Sequence, residues 1–185
     1  ISFGSAESHH SGEIFPVNYT FLSGDNGVKT FANGVTLKTT GERSVTVTGN
    51  TKTGTQTAIT VTPAPINKFT LTANGTIIAG TPFTVTATVY DEFDNVKTNY
   101  TGDNNVTWTT NASTSFNGTP RIIPANGNQT FTAGVSTISG FTFYNSHETP
   151  VISITDGPTA SPGTTAPITV KNAVLNNFKV VAGTS

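Results

Sequence analysis

Cysteine and methionine are both absent from this 185-residue chain. Without cysteine there are no disulfides, no thiol chemistry and no thiolate metal sites. Without methionine, Ile1 is not a translation start, so the sequence is expected to be a processed mature chain or a piece cut from a longer one. Charge is scarce as well: Asp, Glu, Lys and Arg make up 10% of the residues, where about a quarter is usual. The net charge of −1 offers no electrostatic footprint for nucleic acid or for an anionic membrane surface. No apolar run approaches the roughly 18 residues of a membrane-spanning helix. Leu, Glu and Lys, the usual helix formers, are few. Threonine and asparagine take their place, with 18 glycines. Threonine is β-branched and suits the solvated face of a strand, and asparagine and glycine suit turns. The fold class this composition implies is all-β.

The stretch from Pro63 to Val96 organises the pattern. Pro63 and Pro65 cannot sit inside a sheet and read as a linker. Phe69-Thr70-Leu71 is a short apolar strand, and Gly80 marks a break. A long alternating strand follows, with Phe83, Val85, Ala87 and Val89 on one face and Thr84, Thr86, Thr88 and Tyr90 on the other, the period of a strand with one buried side. Upstream, strands are expected at Ile1-Ser2-Phe3, Tyr19-Thr20-Phe21, Val35-Thr36-Leu37, Val45-Thr46-Val47 and Ile59-Thr60-Val61. Turns are expected at Ser23–Gly27, Thr40–Arg43 and Asn50–Gly54.

An internal repeat underlies this order. Gly54-Thr55, Ile59-Thr60-Val61 and Ile66-Asn67-Lys68-Phe69 recur about 109 residues later as Gly163-Thr164, Ile168-Thr169-Val170 and Leu175-Asn176-Asn177-Phe178. With small insertions, Val45-Thr46-Val47 matches Ile152-Ser153-Ile154, Val35-Thr36-Leu37 matches Phe141-Thr142-Phe143, Thr30-Phe31 matches Thr130-Phe131, and Ile1-Ser2-Phe3 matches Val106-Thr107-Trp108. The period is that of one immunoglobulin-sized sandwich. The expected division is therefore the latter part of one repeat at 1–62, a complete repeat at 66–174, and the first strand of a further repeat, or a donor strand, at 176–185.

Ala79-Gly80-Thr81-Pro82-Phe83, the alternation through Ala87, and Asp91-Glu92-Phe93-Asp94-Asn95-Val96 resemble the signature of bacterial immunoglobulin-like repeats. These are the tandem domains of invasin- and intimin-type adhesins and of many prokaryotic surface proteins. The likeness covers most of the chain. It implies tandem immunoglobulin-like β-sandwiches and the roles such repeats serve: stalks, fibres and surface layers. Asp94 departs from the pattern, since glycine is common there.

Asp91, Asp94 and Asn95, with Asp103 near in sequence, offer the oxygen ligands that calcium prefers, though not at EF-hand spacing. The same residues suit a tight turn in which Asp and Asn bond their own backbone. Trp108, the sole tryptophan, would be a stacking platform for a sugar if exposed, but its copy Phe3 and its Val-x-Trp strand assign it to the core. His9 and His10 have only Glu7 and Glu13 nearby for a zinc site, and His147 sits beside Glu148 in a turn. No Ser or Thr has the adjacent base of a nucleophilic enzyme. Asn-x-Ser/Thr sequons begin at Asn18, Asn74, Asn99, Asn105, Asn111, Asn117 and Asn128. About five are expected by chance in so threonine-rich a chain. Glycans are therefore placed first on the cluster Asn99, Asn105, Asn111, Asn117 and Asn128.

Together these readings give a non-enzymatic, extracellular, cell-surface structural protein without a cofactor, calcium apart. Its partners would be other copies or repeats of itself, and glycans, with no nucleic acid and no membrane insertion. A carbohydrate-binding or spacer module of a secreted enzyme is the alternative, favoured by an exposed set of Trp108, Tyr90 and Tyr100. Residues 1–62 lack counterparts of Phe69–Leu71 and of the long strand from Thr81 to Tyr90. They are thus expected to be completed by strands from outside that segment.

Overall fold

The computed structural model describes residues 1–4, 12–157 and 160–175. Their strands are β1 (Ser2–Gly4), β2 (Gly41–Gly49), β3 (Lys52–Val61), β4 (Ile66–Ala73), β5 (Thr76–Ile78), β6 (Phe83–Asp91), β7 (Gly102–Thr110), β8 (Gly127–Phe131), β9 (Val135–Phe141), β10 (Ile152–Thr155), β11 (Gly163–Thr164) and β12 (Thr169–Lys171). The one helical turn among them is a 3-10 turn at Ser23–Asp25.

Alternation decides which faces meet. Phe83, Val85, Ala87 and Val89 of β6 are buried, with Val85, Ala87 and Val89 wholly so. β6 lies between β4 and β9 in an antiparallel sheet. A second sheet has the order β11-β10-β7-β8 and turns Val106, Trp108, Phe131, Ile152 and Ile154 inward. The two sheets close on one apolar cluster: Trp108 of β7 meets Phe141 of β9 edge-on at 5.3 Å, and Phe69 of β4 meets Phe131 of β8 at 6.1 Å. This is the layering of a β-sandwich. β5 pairs in parallel with β12. The buried members of the cluster run from Phe69 to Val170 in sequence.

Residues before the Pro63–Pro65 linker form a separate three-stranded sheet, β1-β2-β3. Its register repeats that of the second sheet. Phe3 pairs with Val47 as Trp108 pairs with Ile154. Thr46 pairs with Thr55 and Val47 with Gly54, as Ser153 pairs with Thr164 and Ile154 with Gly163. The Thr46 and Thr55 hydroxyls lie 2.9 Å apart, and so do those of Ser153 and Thr164. Beyond the sheets, Ile14 and Thr36 exchange backbone hydrogen bonds, and Ile122 and Thr142 do the same.

Local readings needed correction in the first 62 residues. Tyr19-Thr20-Phe21 is not a strand. The Tyr19 backbone exchanges hydrogen bonds with Ile1, its hydroxyl donates to Asp25, and its ring makes edge contacts with Phe21 and Phe31. Among the described residues Val35-Thr36-Leu37 makes only the Ile14–Thr36 bridge, and no described strand of the first 62 residues stands where β6 flanks β9. Gly41 and Lys52, expected in turns, already belong to β2 and β3. That hairpin turns through Asn50, whose φ of 51° is left-handed.

Candidate functional site

Asp91 ends β6 with no solvent exposure. Its Oδ1 accepts from the backbone N–H of Phe93 and of Asn95, both at 2.9 Å. Its Oδ2 accepts from the Asn95 Nδ2 at 2.9 Å and from the backbone N–H of Ala64, in the linker, at 3.0 Å. Burial would raise the Asp91 pKa, but these hydrogen bonds, that of the Asn95 side chain foremost, outweigh it and hold the carboxyl below its ordinary value. Asn95 reaches the other way too: its Nδ2 donates to the Lys38 carbonyl at 2.8 Å, and its Oδ1 accepts from the Thr40 N–H at 3.2 Å. The Lys38 ammonium lies 4.7 Å from the Phe93 ring centroid. A buried polar clasp thus ties the turn after β6 to both the linker and residues 38–40. The clasp stands at the segment read from the sequence as a linker.

Of the four residues read as calcium ligands, Asp91 and Asn95 are brought together, but to bond each other. Asp94 takes the left-handed conformation, φ 62°, one that glycine adopts without strain, and its carboxylate pairs with Lys68. Asp103 accepts from the Thr130 hydroxyl across β7 and β8. Among the described residues no group of three or more His, Asp or Glu side chains converges as a metal site would. Glu13 accepts from the backbone of Lys38 and Thr39. Glu7, His9 and His10 lie outside the described residues. His147 is exposed, and Glu148 accepts from the N–H and hydroxyl of Ser113.

Trp108 is 3% exposed, so it forms no sugar platform. Tyr100 is likewise turned to the core, edge-on to Phe69 and Phe131. Its hydroxyl donates to Asp156 at 3.3 Å, and burial followed by the Asp156 charge pushes its pKa well above the usual phenol value. All seven sequon asparagines are exposed. The cluster is not all loop: Asn105 and Asn128 are cross-strand neighbours on β7 and β8. Asn111 accepts from the Val151 N–H at 2.8 Å, and Asn117 accepts from the Thr119 N–H and hydroxyl within its own sequon.

A feature that no motif announced lies on the N-terminal sheet. Val35, Leu37, Val45, Ile59 and Val61, with Thr60 and Thr62, line an open groove of about 620 Å³. The apolar residues' counterparts by sequence copy and register, Phe141, Phe143, Ile152, Ile168 and Val170, are all buried. The only signal in the sequence was the repeat, once its missing strands were counted.

No family model matches the chain, and no curated protein does. A solved structure, the apo form of β-glucuronidase 3 from Bacteroides uniformis, is similar over 70% of this chain at 14% identity and a TM-score of 0.37. The match spans 16% of that protein's length. What fold and site define together is an all-β protein of antiparallel sheets in sandwich layering. Among its described residues no helix is long and apolar enough to cross a membrane.

Proposed function

We propose that the chain is a structural, non-enzymatic protein of the cell surface, built of tandem immunoglobulin-like sandwiches. It would serve in a filament, a surface layer or an adhesin stalk. What supports this reading is the shared register: where β7, β10 and β11 pair, β1, β2 and β3 pair at the copied positions, Phe3–Val47–Gly54 as Trp108–Ile154–Gly163. One supersecondary plan used twice in a chain is the economy of a modular rod, whose length scales with copy number. The clasp of Asp91 and Asn95 supports it too, since a bonded linker restrains one unit against the next. Thr-rich, weakly charged faces suit solvent exposure without strong mutual repulsion. On this reading the partners are other copies of the protein, and the exposed sequon side chains at Asn99, Asn105 and Asn128 are the places for glycans.

Electron microscopy of native material tests the proposal. Ordered polymers or uniform rods on or shed from the cell surface are expected. Isolated compact particles confined to the cell interior would overturn it. The carbohydrate-binding alternative lacks its platform, because Trp108 is buried.

A further inference from the structure

Gly163 and its copy Gly54 stand in opposite surroundings. A Cβ on Gly163 would lie 2.7 Å from the Phe69 Cβ and 3.0 Å from the Phe69 backbone, so the absence of a side chain there is what seats β4 against β11. Phe69 N–H donates to the Ser161 carbonyl and Ser161 N–H to the Asn67 carbonyl, which fixes β4 parallel to that edge. Around Gly54 nothing among the described residues would come within 4 Å of a Cβ. β3 is the edge of its sheet, and the groove of Val35, Leu37, Val45, Ile59 and Val61 opens beside it. The N-terminal sheet therefore carries the seat for a β4-like strand, glycine included.

The chain contains one sequence of that kind besides β4 itself. Leu175-Asn176-Asn177-Phe178-Lys179-Val180 copies Ile66-Asn67-Lys68-Phe69-Thr70-Leu71. We infer that this segment of a second copy docks along the outer edge of β3, with Phe178 over Gly54 and Val180 directed toward Val45 and Ile59. The inference rests on the repeat reading of residues 1–62 and names the partner that completes it.

Reach excludes the chain's own groove. Lys171 pairs with Ile78, beside the turn where Thr81 N–H meets the Ile78 carbonyl and from which β6 runs back to Asp91 and the linker. A nine-residue strand such as β6 spans about 30 Å. The seven residues from Lys171 to Phe178 extend at most about 25 Å. The groove lies beyond the linker, at the far end of that span, so this segment does not reach the groove of its own copy. Each copy then offers a groove at one end and a strand at the other. Such a contact is head-to-tail and propagates, with backbone hydrogen bonds along the edge and alternate side chains in the groove.

Two variants separate donor from acceptor. Gly54→Val fills the seat with a β-branched residue that meets no neighbour in the unpaired sheet, so the chain folds and its donor is intact. Phe178→Asp leaves the groove intact and disables the donor. In sedimentation velocity the wild-type chain is expected to form a concentration-dependent ladder of oligomers. Each variant alone should be a folded monomer by circular dichroism. An equimolar mixture of the two should give a single 1:1 dimer and nothing longer, because only one productive contact remains. A peptide of residues 175–185 should bind the Phe178→Asp chain and fail to bind Gly54→Val. A wild-type chain that stays monomeric, oligomers that survive either substitution, or a mixture without dimer would overturn the inference. So would a peptide of residues 66–91 that binds the groove where the 175–185 peptide does not. A monomeric chain in isolation whose native form still appears as surface rods removes the strand exchange and leaves the structural reading standing.

Discussion

Asp91 and Asn95 hold each other twice, backbone N–H to Oδ1 and side-chain Nδ2 to Oδ2, both at 2.9 Å. With Phe93 and Ala64 supplying the other donors, the carboxylate has two hydrogen bonds on each oxygen. Truncation to alanine strands four donors and opens the clasp to the linker and to Lys38. Asp91→Ala is expected to cost about 3–5 kcal/mol in urea unfolding. Calcium or a chelator should leave the wild-type melting temperature unchanged, since the oxygens a cation would use are already engaged. A calcium-dependent rise of several degrees would restore the cation reading.

The same carboxylate sets an acid dependence. Its folded pKa lies below the ordinary 3.8, so the folded state binds this proton less readily than the unfolded state does. Its stabilising contribution is fully present above pH about 4 and is lost as pH falls from there through the lower folded value. Asp91→Asn keeps the size and removes the titration. The variant should be less stable at neutral pH, with a flatter stability profile between about pH 2 and 5. Parallel profiles for the two proteins would show that other groups carry the acid sensitivity.

Val85 is wholly buried at the centre of β6, paired with Ala73 and Ile138. Val85→Asp places a carboxylate in an apolar interior without a partner, and a loss of at least about 3 kcal/mol is expected. A purified variant that melts within a few degrees of the parent would refute the assignment of that face.

What was legible in the sequence followed from periodicity and from copying. β6 could be read to within one residue of its end at Asp91 because Phe83 to Tyr90 alternate without a break, and Trp108 stands in a Val-x-Trp strand whose copy carries Phe3 at the same place. The N-terminal segment was read less well. Val35-Thr36-Leu37 has strand composition, yet a strand exists only beside another strand, and composition does not say whether a neighbour is present. Gly41 looked like a turn residue because glycine usually marks one; here it opens β2 at φ 103°. Asp91 was legible as an acidic cluster but not as a clasp, since its partners Ala64 and, through Asn95, Lys38 and Thr40 lie 27 to 57 residues away. The groove was invisible to residue-type reasoning, because it is made of ordinary apolar residues and threonines.

The two copied glycines supply the sharpest comparison. Gly163→Ala forces a methyl group to within 2.7 Å of the Phe69 Cβ and 3.0 Å of its backbone. Neither atom is the loose end of a side chain, so β4 must shift from β11 and part of the core contact of Phe69 is lost. A cost of about 2–3 kcal/mol is expected, as for other overpacked sites. Gly54→Ala meets nothing within 4 Å among the described residues. Its backbone is not left-handed, so the substitution removes unfolded-state freedom without strain. It should be neutral or stabilising by up to about 1 kcal/mol. Both values come from urea unfolding of dilute protein followed by the fluorescence of Trp108 for the central sandwich and by circular dichroism for the whole chain. If Gly163→Ala is tolerated as well as Gly54→Ala, then β4 does not depend on that glycine for its seat. The correspondence between the two sites would then be one of sequence alone.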